Sequence, residues 1–167
     1  MTTTGRRRHT EPGAPSPGRA SGSQLPTLDV VILRPGARLP ERQSTLASGY
    51  DLHACLEGGP LRLRQSPSRV PTGLAVAAPL GVDVQVRPRS GLSLRGVMTT
   101  LGTLDADYRG ELFVTMYCLP GSEGHVLKDG DRIAQLVVSR LEPVGWRVVP
   151  ELDATARGAG GHGSTGR

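Results

Sequence analysis

The chain has 167 residues, enough for one domain with a real core, yet only 37% of them are hydrophobic while Gly numbers 23 and Pro 14. Of the formal net charge of +5, three units fall in residues 1–26, where Arg6, Arg7, Arg8 and Arg19 face only Glu11. With aromatics at 3%, the stacking surfaces that grip single strands are largely missing, so no nucleic-acid partner is expected.

In chain order, residues 1–26 are Gly, Pro, Ser and Arg in shuffled order, a composition that cannot offset the entropy of ordering and predicts a disordered basic tail. Its arginines are followed by no apolar core, so it is not read as a secretory signal. Period-two patterns and short apolar runs then predict strands at 28–34, 70–78, 82–87, 111–119, 132–140 and 144–149. Turns are predicted at Pro79-Leu80-Gly81, Pro120-Gly121 and Asp129-Gly130, with one or two helical turns around Ser90–Arg95. The fold class expected is all-β, a sandwich or barrel over residues 27–156, with a Gly-rich arm at 157–167. Cys55 and Cys118 stand alone without metal-site spacing, and Cys118 reads as a small buried hydrophobe. No stretch approaches the roughly 20 apolar residues of a membrane span, and a cytoplasmic location is expected.

Polar residues gather in loops where core packing does not require them. Arg89-Ser90-Gly91 follows a strand: arginine offers a fork for phosphate oxygens, and glycine lets backbone N–H groups approach an anion. By itself the segment is equally an ordinary strand-to-helix turn. The stretch Gly102–Gly110 puts Asp105, Asp107, Tyr108 and Arg109 in one hairpin tip, where aspartate is common but a tyrosine is not needed. In a strand, Arg132, Ala134 and Leu136 share one face and Ile133 and Gln135 the other. Gln135 is then an amide among apolar residues, in need of a backbone or phosphate partner. The last residues place Arg157, Ser164 and Thr165 among glycines, with His162 as the single ring.

Taken in order, SGYDL at 48–52, RSGL at 89–92, LDADYRGE at 104–111, GDRIAQL at 130–136 and RGAGGHGSTG at 157–166 resemble the five motifs of the homotrimeric dUTP pyrophosphatases (dUTPases). The resemblance spans residues 28–167 and implies a jelly-roll β-fold and a homotrimer with sites at subunit interfaces. It also implies hydrolysis of dUTP to dUMP and pyrophosphate with Mg²⁺. It places the catalytic aspartate on Asp105, as the base for the attacking water. Tyr108 would lie under the deoxyribose and exclude a 2′-hydroxyl, and Asp51 would hold Mg²⁺ through water. Arg89, Ser90, Gly91 and Gln135 would hold phosphates, while backbone groups of Gly102, Thr103 and Leu104 read the uracil edge, with Phe113 also among the substrate-binding residues. The arm, with Arg157, His162, Gly163, Ser164 and Thr165, would close over a site. His162 stands where many members have Phe, and Thr99 where the hairpin often has Asn, so one side-chain contact to uracil is expected to change. Two rival readings use the same fold. A dCTP deaminase would need a glutamate base in a differently written hairpin. A non-catalytic binding module would draw on the basic tail.

Overall fold

The computed structural model describes residues 26–160. Residues 1–25 and, among the expected site residues, His162, Gly163, Ser164 and Thr165 lie outside the described residues. Ten strands and one helical turn follow in order: β1 Asp29–Ile32, β2 Gly49–His53, β3 Leu61–Leu63, β4 Ser68–Ala77, β5 Val82–Arg87, α1 Ser90–Ser93, β6 Val97–Thr99, β7 Gly102–Leu104, β8 Glu111–Cys118, β9 His125–Leu127 and β10 Arg132–Arg140. Eight of the strands form two four-stranded sheets, β1-β4-β8-β6 and β2-β10-β5-β7, and β3 pairs with β9. This is the all-β, double-sheet jelly-roll architecture, as expected.

Alternation along the strands builds the core between the sheets. In β8, Leu112, Val114, Met116 and Cys118 are buried, while Glu111, Phe113, Thr115 and Tyr117 point outward. Val70, Leu74 and Val76 of β4 meet Leu52, Val84, Val86 and Leu136 of the opposite sheet in the same cluster. Cys55 and Cys118 are both buried free thiols.

Two details of register shape the site. β4 slips against β8 between Pro71 and Ala75, and the bulge turns at Gly73 with φ +70°, where a side chain would meet Ala37 and Cys55. Glu111 anchors this bulge: its carboxylate accepts from the Gly73 N–H at 3.0 Å and from Arg34 Nε and Nη2 at 3.0 and 2.8 Å. These bonds with Glu111 are the chief reason the Arg34 pKa is raised. β10 slips against β2 between Arg132 and Ala134. That slip overturns the simple alternation expected there. Ile133, Ala134 and Leu136 are all buried, while Gln135 is half-buried beside Asp51 and Arg87 rather than among apolar residues.

The strand expected at 144–149 does not form within the chain. After Arg140 the Leu141 N–H donates to Gly81 O, and no further backbone bond forms among the described residues until the local turns at 155–160; between them Trp146 is 94% and Val148 99% exposed. A strand needs a neighbour, and this segment has none among the described residues. Five short strands (β2, β3, β6, β7 and β9) were not expected, because three to five residues are too few to display a period.

Candidate functional site

The hairpin Gly102–Glu111 does not zip onto itself. β7 pairs with β5 at the edge of one sheet, and the start of β8 pairs with β4 in the other. β6 reaches β8 only over Met116–Cys118. The free edge of β7 and that of Glu111–Phe113 therefore flank a cavity of about 280 Å³, also lined by Asp105, Tyr108, Val86 and Arg69. Backbone donors and acceptors on two unpaired strand edges can read the rim of a planar ring without side chains.

At the cavity mouth Asp105 opens a turn closed by the Tyr108 N–H to Asp105 O, 3.0 Å. Arg109 fastens the turn by donating to the carbonyls of Ala106 and Tyr108, both at 2.7 Å. The Tyr108 hydroxyl donates to Glu111 O at 3.0 Å, which folds the ring back over Gly110, where a Cβ would strike it. The ring is therefore held in place, and the Asp105 carboxylate has no hydrogen-bond partner among the described residues.

A second cluster stands at the far end of β5. Asp51 is buried between two arginines, with Arg89 Nε 3.3 Å from Oδ1 and Arg132 Nη1 donating to Oδ2 at 3.2 Å. Arg89 Nη1 also donates to Arg132 O at 2.8 Å, and Gln135 Nε2 to Pro88 O at 2.9 Å. A Cβ on Gly49 would run into the Gln135 amide, which accounts for the glycine in SGYDL. α1 is a single turn whose own bonds begin at the Leu92 N–H, so the Ser90 and Gly91 amides project from its start. A side chain at Gly91 would meet nothing among the described residues, which leaves room there for another group. His53, buried beside Asp51, has its pKa lowered by burial and then by Arg38, and its Nδ1 has no partner among the described residues.

The structure thus brings Asp105, Tyr108, Gly102, Thr103, Leu104 and Phe113 to one cavity, and Asp51, Arg89, Ser90, Gly91 and Gln135 to another place. At the cavity's nearer end Gly102 lies opposite Val86, three residues before Arg89 and about 10 Å along the strand, and at its farther end Leu104 lies opposite Val84, about 15 Å away. Thr99 joins neither group: it is buried, and its hydroxyl donates to Ile133 O at 3.2 Å. Arg157 closes a local turn by donating to Gly160 O at 2.9 Å. Arg132 lies within GDRIAQL but has no expected role there, and Arg69 lies in no motif, since a strand arginine shows its partners only once its neighbours across the sheet are known.

A family model described as dUTPase matches residues 36–166. The deoxyuridine 5'-triphosphate nucleotidohydrolase of Treponema pallidum subsp. pallidum is 46% identical over 140 residues, covering 81% of this chain and 95% of that protein. That of Syntrophotalea carbinolica is 46% identical over 143 residues, covering 84% and 97%. Among solved structures, the Staphylococcus bacteriophage 80alpha dUTPase with dUPNHPP aligns with a TM-score of 0.69 at 28% identity, over 84% of this chain and 99% of that one.

Proposed function

The chain belongs to the dUTPase family, and from that premise we propose that it hydrolyses dUTP to dUMP and pyrophosphate, using water activated by Asp105. The observation that carries this reading is the slot between two free strand edges with an unpartnered carboxylate at its mouth. The pyrimidine enters the slot, the sugar rests on Tyr108, and the Asp105 carboxylate takes the proton of the attacking water. The water oxygen bonds to the α-phosphorus, the bond to the bridging oxygen breaks, and pyrophosphate leaves. Removal of dUTP and supply of dUMP for dTMP synthesis follow from this reaction, and we place it in the cytoplasm.

Charge moving onto pyrophosphate calls for donors and a cation. Arg89, Gln135 and the amides of Ser90 and Gly91 supply the donors. Among the described residues no group of three or more His, Cys, Asp and Glu could cage a metal. That donor set fits Mg²⁺, which keeps most of its waters and binds mainly through substrate phosphates, with Asp51 as an outer contact through water. When bound, the ion would neutralise phosphate charge. Asp51 itself is kept in place by its two arginines.

We place the active sites between subunits of a homotrimer. One chain presents a nucleoside pocket and a phosphate cluster that do not meet, and such half-sites are completed by rotation about a symmetry axis. The exposed apolar run from Val144 to Leu152 also calls for a covering partner. Domain limits follow the same scheme, with a β domain at 27–156 and an arm at 157–167 closing over a site through Arg157, His162, Gly163, Ser164 and Thr165.

Pyrophosphate release from dUTP, UTP, dTTP and dCTP, each with and without Mg²⁺, tests the reading. Turnover confined to dUTP and enhanced by Mg²⁺ is expected; ammonia or a uridine product from dCTP would overturn it in favour of a deaminase. Gly110→Ala is expected to push the Tyr108 ring aside and narrow the preference for dUTP over UTP about tenfold, because the ring then no longer fills the space of a 2′-hydroxyl. Competing-substrate kinetics give that ratio directly.

A further inference from the structure

Among the described residues Arg69 is the one cation lining the nucleoside cavity, and no motif accounts for it. It lies on β4 opposite Thr115, while Pro71 lies opposite Phe113, so Arg69 and Phe113 are diagonal neighbours on the outer face of the sheet. The Arg69 guanidinium sits over the Phe113 ring, with Cζ 4.1 Å from the centroid. Among the described residues it makes no salt bridge and no hydrogen bond. A stacked guanidinium keeps its N–H donors in the plane of the group, directed away from the ring, and it has no acceptor atom at all.

Position along the cavity says which part of a nucleotide this group meets. Asp105 and Tyr108 mark the mouth, and Phe113 lies two strand residues beyond Glu111, about 7 Å further in. That offset is comparable to the step from a deoxyribose ring to the far edge of its pyrimidine. Uracil shows a carbonyl acceptor at C4, and cytosine an amino donor. A group that only donates fits the first and opposes the second.

We propose that Arg69, held by Phe113, donates to the C4 carbonyl of the pyrimidine and discriminates uracil from cytosine; this rests on the nucleoside pocket assigned above. Thymine carries the same carbonyl, so Arg69 contributes nothing against dTTP, whose exclusion falls to the closeness of the strand edges around the methyl group.

The experiment compares Arg69→Leu and Arg69→Lys with the unaltered protein, by kinetics on dUTP, dCTP and dTTP and by equilibrium binding of deoxyuridine and deoxycytidine. Arg69→Leu is expected to raise KM for dUTP about tenfold with kcat within about twofold, and to narrow dUTP-over-dCTP selectivity about tenfold, the worth of one charge-assisted hydrogen bond. The dUTP-over-dTTP ratio should not move, and Arg69→Lys, which keeps a donor, should recover part of the loss. An unchanged dUTP-to-dCTP ratio at an unchanged melting temperature overturns the proposal. So does a loss seen with dUTP but not with deoxyuridine, since Arg69 would then serve the phosphates. Nucleoside binding requires no turnover, so a protein that binds deoxyuridine through Arg69 but does not cleave dUTP sinks the hydrolase reading and leaves this one standing.

Discussion

Asp105→Asn is expected to lower the single-turnover rate of dUTP hydrolysis about a thousandfold while changing dUTP affinity less than about tenfold. The carboxylate is exposed at the cavity mouth and holds no other group among the described residues, because its turn is closed by backbone bonds and by Arg109. Asparagine has the same shape but cannot accept a proton from water at neutral pH, so the loss falls on chemistry rather than on binding or folding. Single-turnover rates alongside equilibrium titration with a non-hydrolysable analogue separate the two quantities. A rate within a few-fold of the original would remove Asp105 from the mechanism.

The second large effect concerns where the site is built. Asp105→Asn spoils the nucleoside pocket and Arg89→Ala the phosphate cluster, so each variant alone should be nearly inactive. Asp51 still has Arg132 in the second variant, which keeps that end of the sheet paired. Equal amounts of the two chains, co-refolded so that subunits mix, should regain about a quarter of the original activity, because in a random trimer one site in four draws an intact pocket from one chain and an intact cluster from another. Mixing without refolding should restore nothing. Co-refolded trimers that stay inactive would mean that each chain uses its own two halves, contrary to their separation along β5.

Legibility in the sequence followed the range of the interactions concerned. β4, β5, β8 and β10 announce themselves by alternation because each has one face in the core, a requirement that acts residue by residue. β7 has three residues and no room for a period, yet it forms half of the cavity wall. Asp51 could be singled out by its motif, but its two arginines come from 38 and 81 positions away. Simple alternation puts Gln135 among apolar residues, but a bulge at Arg132–Ala134 shifts the phase of β10, and a bulge is a property of the pair, not of one strand. Residues 144–149 carry the composition of a strand and lack only a partner among the described residues.

What the sequence by itself determined is the order of its parts: an all-β chain, a carboxylate and a tyrosine in one hairpin, and the segments RSGL and GDRIAQL on either side of it. Those follow from residue identity and short spacing, which the chain carries wherever it goes. Only the tertiary structure decided that the hairpin parts between two sheets to open a slot, that Asp51 is locked by arginines, and that Arg69 stacks on Phe113 at the inner end. It also decided that the cavity at Asp105 and the cluster around Asp51 and Arg89 stand apart along β5 in one chain. The reason is that strand pairing and bulges are set by contacts between residues distant in the chain, and no local pattern encodes which edges remain free.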